Sequence, residues 1–503
     1  MFPTISPRLL LVTSLVLLPA VTGGVSAATN GLTVVIRNPA DGHVLTGKTR
    51  WNVEVDGGTP SWVDFFVDGR LRWTERAQPY RFNGDEGAFS TASVTPGKHV
   101  LRAVARSTSG VASATVTVLV KRGGLGSQLP ARLGPSRGKQ YFVDGQSGTD
   151  SNRGTLKAPW RTIARAWSVA TAGSIVNVRA GSYSGQVNLI NKAANAANPI
   201  TVRAYPGDHV TLTGPTAPGY PAVYIWRSTG VRLQGFEITN RTGDGVKVDS
   251  SWDIAVSNND IHNVGQQGII VGGSNAAPTY SKNVQIWDNR IHDNGGWWEN
   301  NDPYALSGTH GIYYGNTVSN SDGIRHGAVG GLIANNLFYN QPNGFHIQVG
   351  SQDDGLIITN NTFDHATAQE ESAGNAIQLY GEDNQFATKN VVVVNNVIAN
   401  SAHRGLYGSG PTLEGNIALN NLAFDNPLGD FVPTTGSSVL FTLGPGNVTG
   451  QDPLFSDPKA GNYRPAAGSP LIDRANPEFA PTRDASGRSR SGRPDIGAFE
   501  YTR

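Results

Sequence analysis

The 503-residue sequence has no cysteine, a single methionine and only 16% charged residues. Without cysteine, disulfide stapling, thiolate metal sites and cysteine nucleophiles are excluded, so stability must come from packing alone. A formal net charge of +2 and the scarcity of charge leave no basic tract, which argues against a nucleic-acid partner. Beyond Leu18 no apolar run approaches the length that crosses a bilayer, so no membrane insertion is expected. The chain is also too long for one compact core, and several domains or an elongated repeat must be present.

What is present begins with a leader. Arg8 precedes the apolar run Leu9 to Leu18, and Val25-Ser26-Ala27 supplies the small residues a signal peptidase needs. Residues 1–27 therefore read as a signal peptide and the protein as secreted. Over residues 30–121 short strands with period-two alternation follow one another: Val34-Val35-Ile36, Val53 and Val55, Val63, Phe65 and Val67, Val100-Leu101, then Val116, Val118 and Val120. Asp-Gly and Pro-Gly turns separate them, as a β-sandwich requires. Asn38-Pro39-Ala40-Asp41-Gly42, Val67-Asp68-Gly69, Pro79-Tyr80 and Gly97-Lys98-His99-Val100-Leu101 resemble the bacterial immunoglobulin-like modules, which implies an accessory role. Residues 122–139, rich in Gly, Pro and Ser, read as a linker.

From residue 140 to 503 the pattern changes. In Pro159-Trp160-Arg161-Thr162-Ile163-Ala164-Arg165-Ala166-Trp167, the residues Trp160, Ile163, Ala164 and Trp167 share a helical face, suited to capping the open end of a strand solenoid. An Asn followed two residues later by a mostly apolar residue then recurs at Asn259, Asn289, Asn336, Asn361, Asn396 and Asn421, at steps of 30, 47, 25, 35 and 25. A period near 25 with variable insertions is a solenoid signature, and an amide that both donates and accepts can bond from coil to coil. This arrangement, with Tyr141-Phe142-Val143-Asp144 at its start and Asp452-Pro453-Leu454-Phe455 and Asp495-Ile496-Gly497-Ala498-Phe499-Glu500-Tyr501 at its end, resembles the pectate-lyase-like right-handed parallel β-helices. The fold class expected is all-β, a right-handed parallel β-helix preceded by an Ig-like sandwich.

A second alignable strand follows each ladder turn, from Gly245-Val246-Lys247-Val248 to Gly405-Leu406-Tyr407-Gly408. Aligning its glycines puts Val246, Ile269, Ile312, Phe345, Ile377 and Leu406 inside. Lys247, Ile270, Tyr313, His346, Gln378 and Tyr407 then face outward, beside a second column of Asp244, Gln267, His310, Asn343, Asn375 and Arg404. The resemblance implies that this strand forms a substrate groove. Cleaving a uronate polymer by β-elimination requires a neutralised carboxylate, a base and a proton donor. His310, Tyr313 and His346 are the candidates for proton transfer. Lys247, Asn343, Asn375, Gln378, Arg404 and Tyr407 are candidates for holding substrate, with Trp297 and Trp298 of the longest insertion stacking on sugar. Asp353, Asp354, Glu382 and Asp383 are candidate Ca²⁺ ligands, or, like Asp244 and Asp249, the carboxylate pair of a glycoside hydrolase. The expectation is a monomeric polysaccharide lyase. A hydrolase, a C5-epimerase and a non-catalytic carbohydrate-binding surface protein are the alternatives.

Overall fold

A computed structural model describes residues 32–120 and 129–502, apart from 42, 46–47, 85–87, 95–96, 109, 276–277, 296–308, 316–325, 343, 351, 368–372, 382–387, 411–412, 436–437 and 491. The described residues form two compact units, one carrying Thr49–Ala88 and Gly97–Leu119, the other the chain from Val120 onward.

The smaller unit has strands where alternation placed them, at Thr33–Asn38, Asn52–Asp56, Trp62–Val67, Gly97–Ser107 and Gly110–Val120. The last three join one five-stranded sheet, whose inward Val63, Phe65 and Val67 are buried. Trp51 closes the core, its ring edge-on to Phe65 at 5.0 Å and stacked on Phe82 at 5.3 Å.

The larger unit winds through three parallel sheets of twelve, ten and nine strands, each coil giving one strand to each sheet. Every third strand pairs in register with the one a coil earlier, as in Lys247 with Ile270 and Ile270 with Tyr313. Val, Ile, Leu and Phe fill the interior in continuous stacks, the environment that β-branched residues favour. The short helix Ile163–Val169 caps the first coil, with Thr162 Oγ1 accepting from the Arg165 N–H. Its buried face is Ile163, Ala166 and Trp167 rather than one including Ala164, which is exposed.

The asparagine ladder forms at the turn between the first and second sheets. Each Nδ2 donates to the next Oδ1 at 2.9–3.1 Å, from Asn259 through Asn289, Asn336, Asn361, Asn396 and Asn421 to Asn447. Immediately before these ladder residues stand Asn258, Asp288, Asn335, Asn360, Asn395 and Asn420, with φ of 51–59°. That left-handed conformation makes the sharp corner, and Asn and Asp tolerate it best among residues with a side chain.

Two segments depart from expectation. From residue 129 the expected linker lies along the outer face of the first sheet: Leu133 is buried with Trp287 and Leu332, and the Arg232 guanidinium donates to the Leu133 carbonyl at 2.6 Å. Beyond Thr449 the chain leaves the solenoid, forms one hairpin, and folds back along the corner. There Asn335, Asn360 and Asn395 donate to the carbonyls of Arg483, Asp495 and Asn476.

Candidate active site on the third sheet

In the third sheet the strands Val223–Trp226, Val246–Asp249, Ile269–Gly272, Thr309–Tyr314, Gly344–Val349, Ile377–Tyr380 and Leu406–Ser409 follow one another. Their inward stack is Val223, Val246, Ile269, Ile312, Ile347, Ile377 and Leu406, all fully buried. The outward column one residue later is therefore Tyr224, Lys247, Ile270, Tyr313, Gln348, Gln378 and Tyr407.

This corrects the sequence alignment at one coil. Ile312 pairs with Ile347 and Tyr313 with Gln348, so Phe345 and His346 sit two residues earlier than the glycine alignment placed them. The slip carries both residues out of the alternating strand and into the corner before it, where neighbouring positions can both face inward: a Cβ built on Gly311 would meet Phe338 and Ile291 although Ile312 beside it is buried too. His346 occupies the position that is Gly311 in the preceding coil and Ala376 in the following one, and it lies in the interior. It is 0% exposed, with its ring 5.8 Å from those of Phe338 and Phe363 and its Nε2 3.1 Å from the Asp364 carbonyl. Burial lowers its pKa to about 3, so it is a neutral core residue and no groove base.

The second expected column turns inward on itself. Asp244 Oδ1 accepts the Gln267 N–H, Gln267 Oε1 the His310 N–H and His310 Nδ1 the Phe345 N–H, at 3.0, 2.7 and 3.4 Å. Phe345 interrupts the series, and Asn375 Oδ1 resumes it on the Arg404 N–H at 3.1 Å. These residues form a second ladder at the corner opening the third sheet. Burial lowers the pKa of His310 to about 3 and raises that of Asp244 to about 6. The His310 ring is stacked on Phe345 at 4.9 Å and meets Tyr313 at 5.8 Å.

What remains outward has a cation at each end. Lys247 Nζ lies 3.5 Å from the buried Asp249 carboxylate, which also accepts from the Tyr224 hydroxyl at 3.3 Å. Burial, then the Asp249 charge, raises the Tyr224 pKa, so its phenol stays protonated. Trp226 lies parallel to Tyr224 with centroids 6.2 Å apart, and its Nε1 donates to Ser274 Oγ at 3.4 Å. Five coils on, about 24 Å at the spacing of paired strands, the Arg404 guanidinium stands 4.7 Å over Tyr407. Gln378 donates to Ser409 at 2.7 Å. Tyr313 lies between these ends. A Cβ built on Gly350 would stand 2.8 Å from the Tyr313 hydroxyl, so the phenol covers that glycine.

The expected Ca²⁺ set does not converge among the described residues. Asp353 Oδ1 accepts the Ala328 N–H at 2.8 Å, while Asp354 meets Asn390 at 2.8 Å and Lys389 at 3.8 Å. Trp297, Trp298, Asn343, Glu382 and Asp383 lie outside the described residues. Tyr224, Trp226 and Gln348 were missed in the sequence, and Asp249 was read there as a hydrolase carboxylate rather than as the partner of Lys247. Extending the strand alignment one coil toward the N-terminus, to Val223-Tyr224-Ile225-Trp226, would have found the first two.

The three-sheet solenoid with an interior amide ladder is a right-handed parallel β-helix of the pectate-lyase-like class. Residues 141–431 match the family described as Pel9A-like, right handed beta helix region, and the chain belongs to it. Over 76 residues it is 41% identical to pectate lyase PEL9 of Emericella nidulans, covering 15% of this chain and 18% of that protein. Over 155 residues it is 27% identical to the uncharacterized protein YwoF of Bacillus subtilis, covering 30% and 28%. The chain thus matches less than a third of the length of either curated relative. The crystal structure of pectate lyase Pel9A matches at 18% identity over 73% of this chain and 98% of that one, with a TM-score of 0.47. An alginate lyase from Paenibacillus sp. str. FPU-7 matches at 13% identity over 62% and 95%, with a TM-score of 0.39.

Proposed function

We propose that the protein is a secreted polysaccharide lyase, acting as a monomer, that cleaves a uronate polymer by β-elimination along the outward column of the third sheet. The observation that carries this reading is the placement of Lys247 and Tyr313 on one face, two coils and thus about 10 Å apart. In the proposed reaction the Lys247 ammonium neutralises a sugar carboxylate, which acidifies the adjacent C5–H. Tyr313, as phenolate, takes that proton. The C5 electron pair forms the C4=C5 double bond, the C4–O4 bond breaks, and the Tyr313 phenol returns a proton to O4. Asp249 and Tyr224 position Lys247 from beneath.

A hydrolase is less well supported. Asp244 and Asp249 are 5% and 4% exposed, and each is already bonded, Asp244 to a backbone N–H and Asp249 to Tyr224 and Lys247. Neither carboxylate is free to reach a glycosidic oxygen. We read the smaller unit as an immunoglobulin-like accessory module and assign no Ca²⁺ role to Asp353 and Asp354. No described helix is long and apolar enough to cross a membrane.

The test is turnover of a panel of polygalacturonate, alginate, glucuronan and glycosaminoglycans, followed by the ultraviolet absorbance of unsaturated uronate. Tyr313→Phe is expected to lower kcat at least 100-fold, a typical contribution of proton transfer, and Lys247→Ala to raise KM and lower kcat. New reducing ends without that absorbance would establish hydrolysis, and inverted C5 without cleavage would establish epimerisation.

A further inference from the structure

The strand Gly97–Ser107 of the smaller unit carries a line of cations that the groove chemistry does not use. Its inward residues His99, Leu101, Ala103 and Ala105 are buried, and alternation turns Lys98, Val100, Arg102, Val104 and Arg106 to the other face. Successive cations are four residues apart, roughly 13 Å along a strand. The neighbouring strand Trp62–Val67 supplies aromatic rings to the same face: Trp62 is paired with Arg106 and Phe66 with Arg102.

The face is preorganised. Asp64, between the two rings, accepts from Trp62 Nε1 at 3.2 Å, Thr74 Oγ1 at 2.7 Å and Arg106 Nε at 2.9 Å. This carboxylate is 7% exposed, so it fixes the indole and one edge of the guanidinium while presenting little negative charge to solvent. Arg106 stays 40% exposed. The Arg102 guanidinium stands 5.0 Å over Phe66, and that of Arg76 5.9 Å from the Trp62 ring. Asp68, 47% exposed at the strand's end, bonds His99 and the Val100 N–H and bounds the cationic line on that side, and Glu75 bonds the Trp73 indole and the Arg76 N–H. Val100 at 43% and Leu71 at 53% exposure add apolar surface.

One ammonium and two guanidinium groups at regular spacing, beside flat indole and phenyl rings, match a polymer that carries carboxylates along its length and has apolar sugar faces between. We infer that the strand pair Trp62–Val67 and Gly97–Ser107 is a docking face for an acidic polysaccharide. It holds the polymer by charge and ring stacking, independently of any reaction on the third sheet.

The full-length protein, passed over immobilised polygalacturonate, a neutral glucan and DNA, tests this. An Arg76→Gln, Arg102→Gln double variant and Trp62→Ala should each elute from polygalacturonate at clearly lower salt than the wild type, with unchanged Tm. Trp62→Ala should behave as wild type on DNA, since the ring recognises sugar rather than charge, and none should bind the neutral glucan. Wild-type retention of the double variant on polygalacturonate, or an equal loss by Trp62→Ala on DNA, overturns the proposal. Turnover of short soluble oligouronides, measured in parallel, reads the third-sheet site alone. If no uronate is cleaved by the wild type, the retention result still decides the docking face.

Discussion

At the scale of single residues, burial decides which titratable groups work and which only hold the fold. His310 and His346 have their pKa lowered from the ordinary 6.5 to about 3 because burial penalises the imidazolium. A depressed histidine pKa contributes stability that is fully present above 6.5 and lost as pH falls toward 3. Each histidine can add up to about 1.4 kcal/mol per pH unit to that loss. His346→Leu should therefore lower Tm at pH 7, through the unpaired Asp364 carbonyl, yet flatten the decline of Tm between pH 6.5 and 4. Asp244 has the opposite sign. Its pKa is raised from 3.8 to about 6, so the protonated form is the stable one and stability is lost as pH rises through that interval. Asp244→Asn keeps the acceptor for the Gln267 N–H and cannot ionise, and should stabilise the protein at pH 7 by up to about 3 kcal/mol in urea titration. The roles of these residues were not legible in the sequence. A His beside an apolar residue in a strand reads as outward or inward according to a register that Gly311 and Gly344 suggested wrongly. Lys247 and Tyr313 were legible because their coils carry the simple Gly-apolar-polar-apolar order.

At the scale of elements, the ladder and the glycine spacing make sharper claims. Asn361 is fully buried, donates to Ile333 O and Asn396 Oδ1, and accepts from Asn336. Asn361→Ala strands the Ile333 carbonyl, the Asn336 backbone N–H and one Asn336 Nδ2–H, while Asn396 Oδ1 keeps the Asn361 N–H, and should cost about 3 kcal/mol, measured by chemical denaturation; Asn447→Ala, at the ladder's end, should cost less. Gly350→Ala probes the groove without touching substrate. The added methyl meets the Tyr313 hydroxyl and ring at 2.8 to 3.1 Å, so the phenol must move while the backbone need not. The expected outcome is a fall in kcat with Tm nearly unchanged; a Tm loss of the same order as a ladder variant would show that the strand itself had shifted. Most of the ladder could be read in advance because one amide must sit at the same corner in every coil. Its last member, Asn447, escaped because the residue two places on is Thr449 rather than an apolar one, where the solenoid ends and no further coil covers that position.

At the scale of the whole molecule, the larger unit is held by two amide systems facing opposite ways from one corner. The interior ladder ties each coil to the next. The left-handed Asn335, Asn360 and Asn395 point outward and bind carbonyls of the tail, whose Arg490 is itself buried against Glu500 at 2.5 Å and donates to Asn335 at 3.0 Å. Removing residues 476–503 should take the tail carbonyls from those amides, leaving Asn335 its bond to Asp288 and Asn395 its bond to Asn360, and lower Tm by several degrees, with far-ultraviolet circular dichroism nearly unchanged because the three sheets remain. The tail also sets an order of events. Coils can stack as they are made, since each needs only its predecessor, but the seam along their corner can close only when residues 476–497 have been made. Until then water takes the place of the tail carbonyls at the outward asparagines, and the chain passes through a stage at which it is wound but not yet locked.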